Sequence, residues 1–122
     1  MKKPKILYVD DEPINLMLFE ANLEKKYQIM TAENGTKGLE IISENNDIRV
    51  VVSDMKMPVM NGIEFVRRAR EMSAGISYYI LTGFEITAEI QQALDTGLIR
   101  RYFKKPFNIN EISSEIEIVI NG

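Results

Sequence analysis

Asp54 is the residue whose surroundings in the sequence most strongly indicate chemistry. It follows three consecutive valines, Val50 to Val52, with one serine between. Such a run is typical of a short central strand with two apolar faces, and Pro58 marks the segment beyond Asp54 as irregular. Ligands bind at the carboxyl ends of strands in open parallel sheets, so a carboxylate there is a candidate reactive group. The alternative is that Asp54 only accepts hydrogen bonds from loop amides.

Four more polar residues stand where other apolar runs end. Asp10 and Asp11 follow the run from Ile6 to Val9, and Thr82 and Lys105 follow later runs. Three carboxylates at one edge of a sheet would raise each other's pKa, and a divalent cation would remove that conflict. Oxygen ligands suit Mg²⁺, which keeps several waters and leaves positions for phosphate oxygens. Together with a lysine and a hydroxyl donor, these groups describe a site where a carboxylate attacks phosphorus.

Each of these residues also has a simpler interpretation. Asp10 and Asp11 are acceptable helix N-caps. Thr82 suits the end of any strand, and Lys104 and Lys105 could be a solvated pair before a proline turn. The functional interpretation gains weight because all of these elements fall at strand ends of one alternating pattern.

Composition limits the class of protein. The 122 residues are enough for one domain, spanning 1–122, and the formal charge of -3 argues against non-specific binding to nucleic acid. No apolar run is as long as a membrane span, and the amino terminus does not have the pattern of a signal peptide. The chain has no cysteine and no histidine, so any metal must be a hard cation held by oxygens. A reducing cytoplasm is the simplest expected location.

Apolar periodicity predicts five strands, each followed by a helix. The strands are expected at 5–9, 27–32, around 50–52 up to Asp54, at 77–81 and at 98–103. The first helix is expected at 13–25, the second ends near 44–46, and the third begins at Gly62. The fourth is expected from about Ile86 to Gly97, and the fifth begins with an Asn108–Glu111 capping box. Asn34-Gly35 indicates a turn.

The inner faces of the helices follow from the same periodicity. The first helix carries Ile14, Met17, Leu18, Ala21 and Leu23, and Leu16 and Phe19 widen its apolar surface into a core contact or a partner-facing patch. The complete alternation predicts an α/β protein, a (βα)5 doubly wound five-stranded parallel sheet.

The sequence resembles a response-regulator receiver domain, the phosphoacceptor module of two-component signalling, and in particular the chemotaxis-regulator type with its flavodoxin-like fold. The resemblance covers nearly the whole chain. It is carried by Val9-Asp10-Asp11-Glu12, by Asp54 to Pro58 with Gly62, by Thr82-Gly83 and by Lys105-Pro106-Phe107.

The resemblance implies a role for each acid. Asp54 would be the phosphoacceptor, taking a phosphoryl group from the phosphohistidine of a partner kinase. Asp11 would bind Mg²⁺ directly and Asp10 mainly through water. Asp54 itself and the backbone carbonyl of Lys56 would complete the protein ligands.

The resemblance also implies the roles of the remaining groups. Lys105, which immediately precedes the proline, would contact the phosphoryl oxygens, and the bond before Pro106 is often cis in the family. The Thr82 hydroxyl would move to bond the phosphoryl group, and Tyr102 would then turn inward as the second switch residue. Lys56 and Phe84 occupy positions that influence phosphoryl lifetime, and bulky Phe84 is expected to hinder attacking water.

The expected partners are a sensor histidine kinase or phosphotransfer protein and an output partner or domain that the sequence does not identify. No direct nucleic-acid or membrane contact is expected. The domain would be a signalling phosphoacceptor, not an enzyme, although it assists its own phosphorylation and dephosphorylation. Oligomeric state and any attachment to a longer protein stay open.

Three other functions are compatible with parts of this pattern. An aspartyl phosphatase of the haloacid dehalogenase type uses similar groups, but its nucleophile follows the first strand in an Asp-x-Asp pattern that Asp10 to Pro13 does not fit. A flavodoxin-like flavin binder needs a Ser-, Thr- or Gly-rich phosphate loop where this chain has acids. A receiver-like module that acts without phosphorylation usually lacks one of the functional residues.

Overall fold

The computed structural model describes residues 3–83 and 85–122. Strands and helices alternate through the chain as predicted, giving a (βα)5 fold. Their bounds are β1 Lys5–Val9, α1 Pro13–Leu23, β2 Gln28–Ala32, α2 Gly35–Glu44, β3 Ile48–Asp54, α3 Gly62–Met72, β4 Ser77–Thr82, α4 Ala88–Asp95, β5 Arg101–Lys104 and α5 Ile109–Asn121.

The strands form one parallel sheet in the order β2-β1-β3-β4-β5. The order reverses direction after β1, so β1 and β3 are neighbours although β2 lies between them in sequence. Ligands of doubly wound sheets bind at the carboxyl edge beside such a switch point. The carboxyl ends of β1 and β3 are the ends that carry the predicted acids.

Side chains alternate between two apolar layers, one on each face of the sheet. One layer joins the sheet to α2, α3 and α4, with Val51, Phe65 and Ile90 among its fully buried members. The other joins it to α1 and α5 and includes Tyr8 and Phe19. Because β3 lies in the centre and is covered on both faces, its run of valines is buried, as the sequence predicted.

The predicted inner face of α1 is wrong in part. Ile14, Met17 and Leu18 are 67%, 69% and 48% exposed, whereas Phe19 and Leu23 are buried. Apolar residues of α1 are spread around the whole helix, so their periodicity does not select one buried stripe. Packing of Phe19 in the core confirms the core-contact interpretation of that residue.

Several element boundaries also differ from the prediction, among them the starts of α2, α4 and β5. Asn34 is the N-cap of α2, with its side chain accepting a hydrogen bond from the Lys37 amide, so Asn34-Gly35 begins a helix. Ile86 precedes α4, whose N-cap is Thr87. Residues 98–100 precede β5 in a turn, after Gly97 adopts a φ of 77°.

Of the capping box expected at α5, the structure shows the hydrogen bonds to the Asn108 side chain, whereas the Glu111 side chain pairs elsewhere. The Asn108 side chain accepts hydrogen bonds from the amides of Asn110 and Glu111. The Glu111 carboxylate lies 3.5 Å from a guanidinium nitrogen of Arg101. Glu111 therefore connects α5 to β5.

Throughout residues 3–83 and 85–122, no helix is both long and apolar enough to span a membrane.

Candidate functional site

Asp10, Asp11 and Asp54 form one acidic cluster at the carboxyl edge of the sheet. Each contributes a carboxylate oxygen, and these oxygens all lie within 4.8 Å of one another. The parallel register pairs Val9 of β1 with Ser53 of β3, which places Asp10 beside Asp54. Asp10 is fully buried and Asp54 is 2% exposed. The predicted proximity of the three acids is therefore observed.

Lys105 is the cation of this site. Its Nζ lies 2.9 Å from Asp54 Oδ1. Its backbone amide donates to the carbonyl of Thr82 across 2.8 Å, which holds the segment after β5 against the end of β4. The Lys105–Pro106 peptide bond is cis. This ion pair supports the choice of Lys105 over Lys104 as the functional lysine.

The loop after Asp54 folds back tightly over the end of β3. The Met55 amide donates to the Leu81 carbonyl, and the Gly62 amide donates to the Met55 carbonyl, each across 2.8 Å. A Cβ at position 62 would lie 2.4 Å from the carbonyl oxygen of Asp54. Position 62 therefore has room only for glycine while α3 starts this close to Asp54.

Three donors hold the Asp10 carboxylate. Its Oδ1 accepts a hydrogen bond from the Glu12 amide at 2.9 Å, and its Oδ2 accepts from Asn15 Nδ2 at 3.2 Å. Oδ2 also accepts from the hydroxyl of Tyr8. The N-cap of α1 is Glu12, so the simpler interpretation of Asp10 and Asp11 as N-caps is wrong.

Sequence reasoning missed Tyr8 and Asn15. Tyr8 lies within the run from Ile6 to Val9, whose composition indicates a strand and no polar role. The available signal was a hydroxyl two positions before an acid, which in a strand lies on the same face. Asn15 lies in the first turn of α1, close to the end of β1, where its amide can reach back to Asp10.

The electrostatics of the site follow from burial and crowding. Burial raises the pKa of the Asp54 carboxyl, the neighbouring Asp10 and Asp11 charges act in the same direction, and Lys105 opposes them. Burial by itself would lower the pKa of the Lys105 ammonium, but Asp54 and then the two other acids raise it. Burial and the hydrogen bond to Asp10 raise the pKa of the Tyr8 phenol far above its usual range.

The predicted switch residues lie on β4 and β5. Thr82 is buried at the end of β4, one position beyond Leu81, which pairs with Asp54. Tyr102 pairs with Ile80 and is half-buried against the apolar layer of α4. The switching motions of Thr82 and Tyr102 stay predictions.

Of the two residues expected to influence phosphoryl lifetime, Lys56 and Phe84, the structure describes only Lys56. Lys56 has an exposed side chain two positions after Asp54. Its predicted contribution of a backbone carbonyl to a metal site stays a prediction. Phe84 lies outside the described residues.

The donor set of the cluster fits a hard divalent cation. Three carboxylates meet here and the Lys105 ammonium pairs with one of them, that of Asp54, so the acids bring more charge than this ion pair offsets. Within the described ranges, no uncharged donor bonds the buried Asp54 Oδ1, whose contact is Lys105. Oxygen-only ligands of this charge suit Mg²⁺ better than softer metals.

Comparison with known proteins decides the family. A family model described as the response regulator receiver domain matches residues 6–117. The chain belongs to that family. This receiver domain is 34% identical over 118 residues to sporulation initiation phosphotransferase F of Bacillus subtilis, covering 96% of this chain and 94% of the relative.

Two further comparisons agree with that result. Chemotaxis protein CheY1 of Helicobacter pylori is 30% identical over 120 residues, covering 95% of this receiver domain and 96% of the relative. The crystal structure of a response regulator receiver domain protein from Clostridium thermocellum superposes with a TM-score of 0.90 at 34% identity. That superposition covers 97% of this chain and 94% of the other. The phosphatase and flavin-binding alternatives are set aside by this membership.

Proposed function

We propose that this receiver domain is an Mg²⁺-dependent phosphoacceptor in two-component signalling. It takes a phosphoryl group onto Asp54 from the phosphohistidine of a sensor histidine kinase or phosphotransfer protein. The observation that carries this proposal is the buried Asp54 carboxylate, with Lys105 at 2.9 Å and two more acids close by. The name of the phosphotransferase relative supports it.

The chemistry assigned to Asp54 is nucleophilic attack on phosphorus. A P–O bond to its carboxylate forms as the P–N bond to the donor imidazole breaks, and the imidazole nitrogen leaves with the electron pair. The product is an acyl phosphate on Asp54. The mostly buried position of Asp54 limits the access of water to that product.

Lys105 offsets the charge that this transfer brings to the site. Its ammonium already lies beside Asp54, so it contacts the phosphoryl oxygens after only a small movement. Asp11, Asp54 and the backbone carbonyl of Lys56 would hold Mg²⁺, with Asp10 acting mainly through water. When bound, the ion would neutralise charge on the acids and on the phosphoryl oxygens.

The output of the domain would be a change of protein-interaction surface. The proposal assigns Thr82 to bond the phosphoryl group and Tyr102 to turn inward in response. Tyr102 is partly exposed on β5, in a groove of about 380 Å³ that Leu94 and Glu111 also line. Phosphorylation would shift the population between two pre-existing conformations of the domain, and this shift would alter the surface. A cytoplasmic location and a signalling rather than an enzymatic role belong to the same proposal.

Intact-mass measurement tests the proposal. The protein is incubated with acetyl phosphate and Mg²⁺, with and without prior addition of EDTA, beside Asp54→Asn and Asp47→Asn variants. Asp47 pairs with Lys5 away from the cluster and is the matched control. We expect one phosphoryl group on wild type and on Asp47→Asn, and none on Asp54→Asn or after EDTA.

Other outcomes would contradict the proposal. A phosphoryl group on Asp54→Asn would mean that another residue is the acceptor. No gain by wild type, from acetyl phosphate or from a phosphohistidine donor, would favour an interaction module that acts without phosphorylation.

A further inference from the structure

Tyr8 is a buried polar group that the phosphoacceptor chemistry above does not use. Its side chain is fully buried in the layer between the sheet and α1. The ring stacks on Phe19 with centroids 4.2 Å apart and an interplanar angle of 7°. Phe107 packs edge-on against it at 6.3 Å. These contacts fix the ring, so they also fix the direction of its hydroxyl toward Asp10 Oδ2.

The hydrogen bonds of Asp10 leave it little capacity for a cation. An ionised carboxylate has about four acceptor positions, two on each oxygen. Tyr8 and Asn15 occupy both positions on Oδ2, and the Glu12 amide occupies one on Oδ1. Asp10 therefore offers a cation one remaining position, on Oδ1.

We infer that Tyr8 is a positioning residue that acts through Asp10 to weaken the hold of the acidic cluster on Mg²⁺. Its hydroxyl compensates part of the Asp10 charge when no cation is present and keeps Oδ2 from becoming a ligand. This inference rests on the proposed function, because it assumes that Mg²⁺ binds this cluster.

The direction of the effect follows from comparing the metal-free and metal-bound states. A hydrogen bond to a charged carboxylate stabilises that charge, most strongly where nothing else compensates it. In the metal-free cluster the Tyr8 bond offsets repulsion among three acids, whereas a bound cation already performs that task. Loss of the hydroxyl therefore costs the metal-free state more than the metal-bound state. By linkage, Mg²⁺ binds more tightly once the hydroxyl is removed.

The chain offers a matched control for this comparison. Tyr27 is also buried, and its hydroxyl also donates to a carboxylate, that of Glu117 on α5. Tyr27→Phe thus removes the same kind of bond outside the acidic cluster. Asn15→Ala provides a second variant, since it removes the other donor to Oδ2 from a less buried position.

Isothermal titration of MgCl₂ into the full chain tests the inference. We expect Tyr8→Phe to bind Mg²⁺ about fivefold more tightly than wild type, the lower end of ordinary coupling between sites. Asn15→Ala should shift affinity in the same direction, and Tyr27→Phe should stay within about twofold of wild type. Urea unfolding should show Tyr8→Phe less stable than wild type in EDTA, with a smaller difference in saturating Mg²⁺. For Tyr27→Phe the difference from wild type should be the same in both conditions.

Each other result overturns a specific part of the reasoning. Unchanged or weaker Mg²⁺ binding by Tyr8→Phe would show that Tyr8 only packs the core, and equal tightening by Tyr27→Phe would show a general effect of stability. Absence of Mg²⁺ binding by wild type would instead contradict the metal dependence of the proposed function.

Discussion

Replacing Asp54 by asparagine should make the metal-free protein more stable. Asp54 is 2% exposed, and its carboxylate lies within 4.8 Å of carboxylate oxygens of both Asp10 and Asp11. Asparagine has nearly the same shape and no charge. The substitution therefore removes a buried like charge and leaves the packing almost unchanged.

The magnitude follows from the distances. At an effective dielectric constant of about 20, two unit charges 4.8 Å apart repel by about 3.5 kcal/mol, and Asp54 experiences two such repulsions, from Asp10 and from Asp11. At 2.9 Å the attraction of Lys105 is about 6 kcal/mol by the same formula, and less after screening because that side chain is 33% exposed. The charge interactions nearly cancel, so the desolvation of Asp54 decides the sign. Part of that desolvation cost, several kcal/mol for a buried ion, remains for the polar asparagine, which leaves an expected gain of about 2 kcal/mol.

Urea unfolding followed by far-ultraviolet circular dichroism, at pH 7 in EDTA, measures this gain. We expect the free energy of unfolding of Asp54→Asn to exceed that of wild type by about 2 kcal/mol with an unchanged m-value. The Asp47→Asn control, which breaks a partly exposed ion pair with Lys5, should lose less than about 1 kcal/mol. A variant at position 54 no more stable than wild type would refute the assignment of Asp54 as an electrostatically strained group.

The same comparison has a defined pH dependence. Because burial raises the pKa of Asp54, the folded state binds its proton more tightly than the unfolded state does. Wild type therefore loses stability relative to Asp54→Asn as pH rises from the usual pKa of 3.8 through the raised value. The advantage of the variant should be constant above that window and absent below it. An advantage that persists well below pH 3.8 would have a cause other than the charge.

The remaining predictions concern the metal, the loop and the core. Mg²⁺ at about ten times its Kd should raise the free energy of unfolding of wild type by about 1.4 kcal/mol in thermal or urea unfolding, with less effect on Asp54→Asn. Gly62→Ala places a Cβ 2.4 Å from the Asp54 carbonyl oxygen and should cost about 2 kcal/mol and slow phosphoryl uptake, whereas Gly75→Ala, with no atom within 4 Å, should cost less than about 1 kcal/mol. Phe19→Ala should cost about 3–5 kcal/mol by urea unfolding, and Met17→Ala, 69% exposed, less than about 0.5 kcal/mol. Equal costs within either pair would contradict the packing described here.

Much of the architecture and the acidic cluster could be predicted because both depend on local signals. The composition of the valine run in β3 by itself predicts a buried strand. Asp10 directly follows β1 and Asp54 ends β3, so alternation alone brings them to one edge once the sheet is parallel. Lys105 needed the resemblance as well, because a lysine before a proline has no specific partner in the sequence.

The features that escaped prediction depend on contacts between distant elements. The buried face of α1 is decided by Tyr8, which stacks on Phe19, and by Phe107, which packs edge-on against it, and not by a stripe within the helix itself. Ile99 is buried but precedes β5, because an apolar residue can reach the core from a turn as well as from a strand. The hydroxyl of Tyr8 became visible only once Asp10 was placed beside it.

Mapping the phosphorylated residue tests the central claim most directly. Wild-type protein is phosphorylated by a phosphohistidine donor in Mg²⁺ and reduced with borohydride, which converts an aspartyl phosphate to homoserine. The peptides that cover positions 10 and 11, position 47 and position 54 are then sequenced by tandem mass spectrometry. We predict homoserine at position 54 and unmodified aspartate at positions 10, 11 and 47. Homoserine at any of those other positions, or none at position 54 in protein that has gained a phosphoryl group, would contradict the assignment of Asp54 as the acceptor.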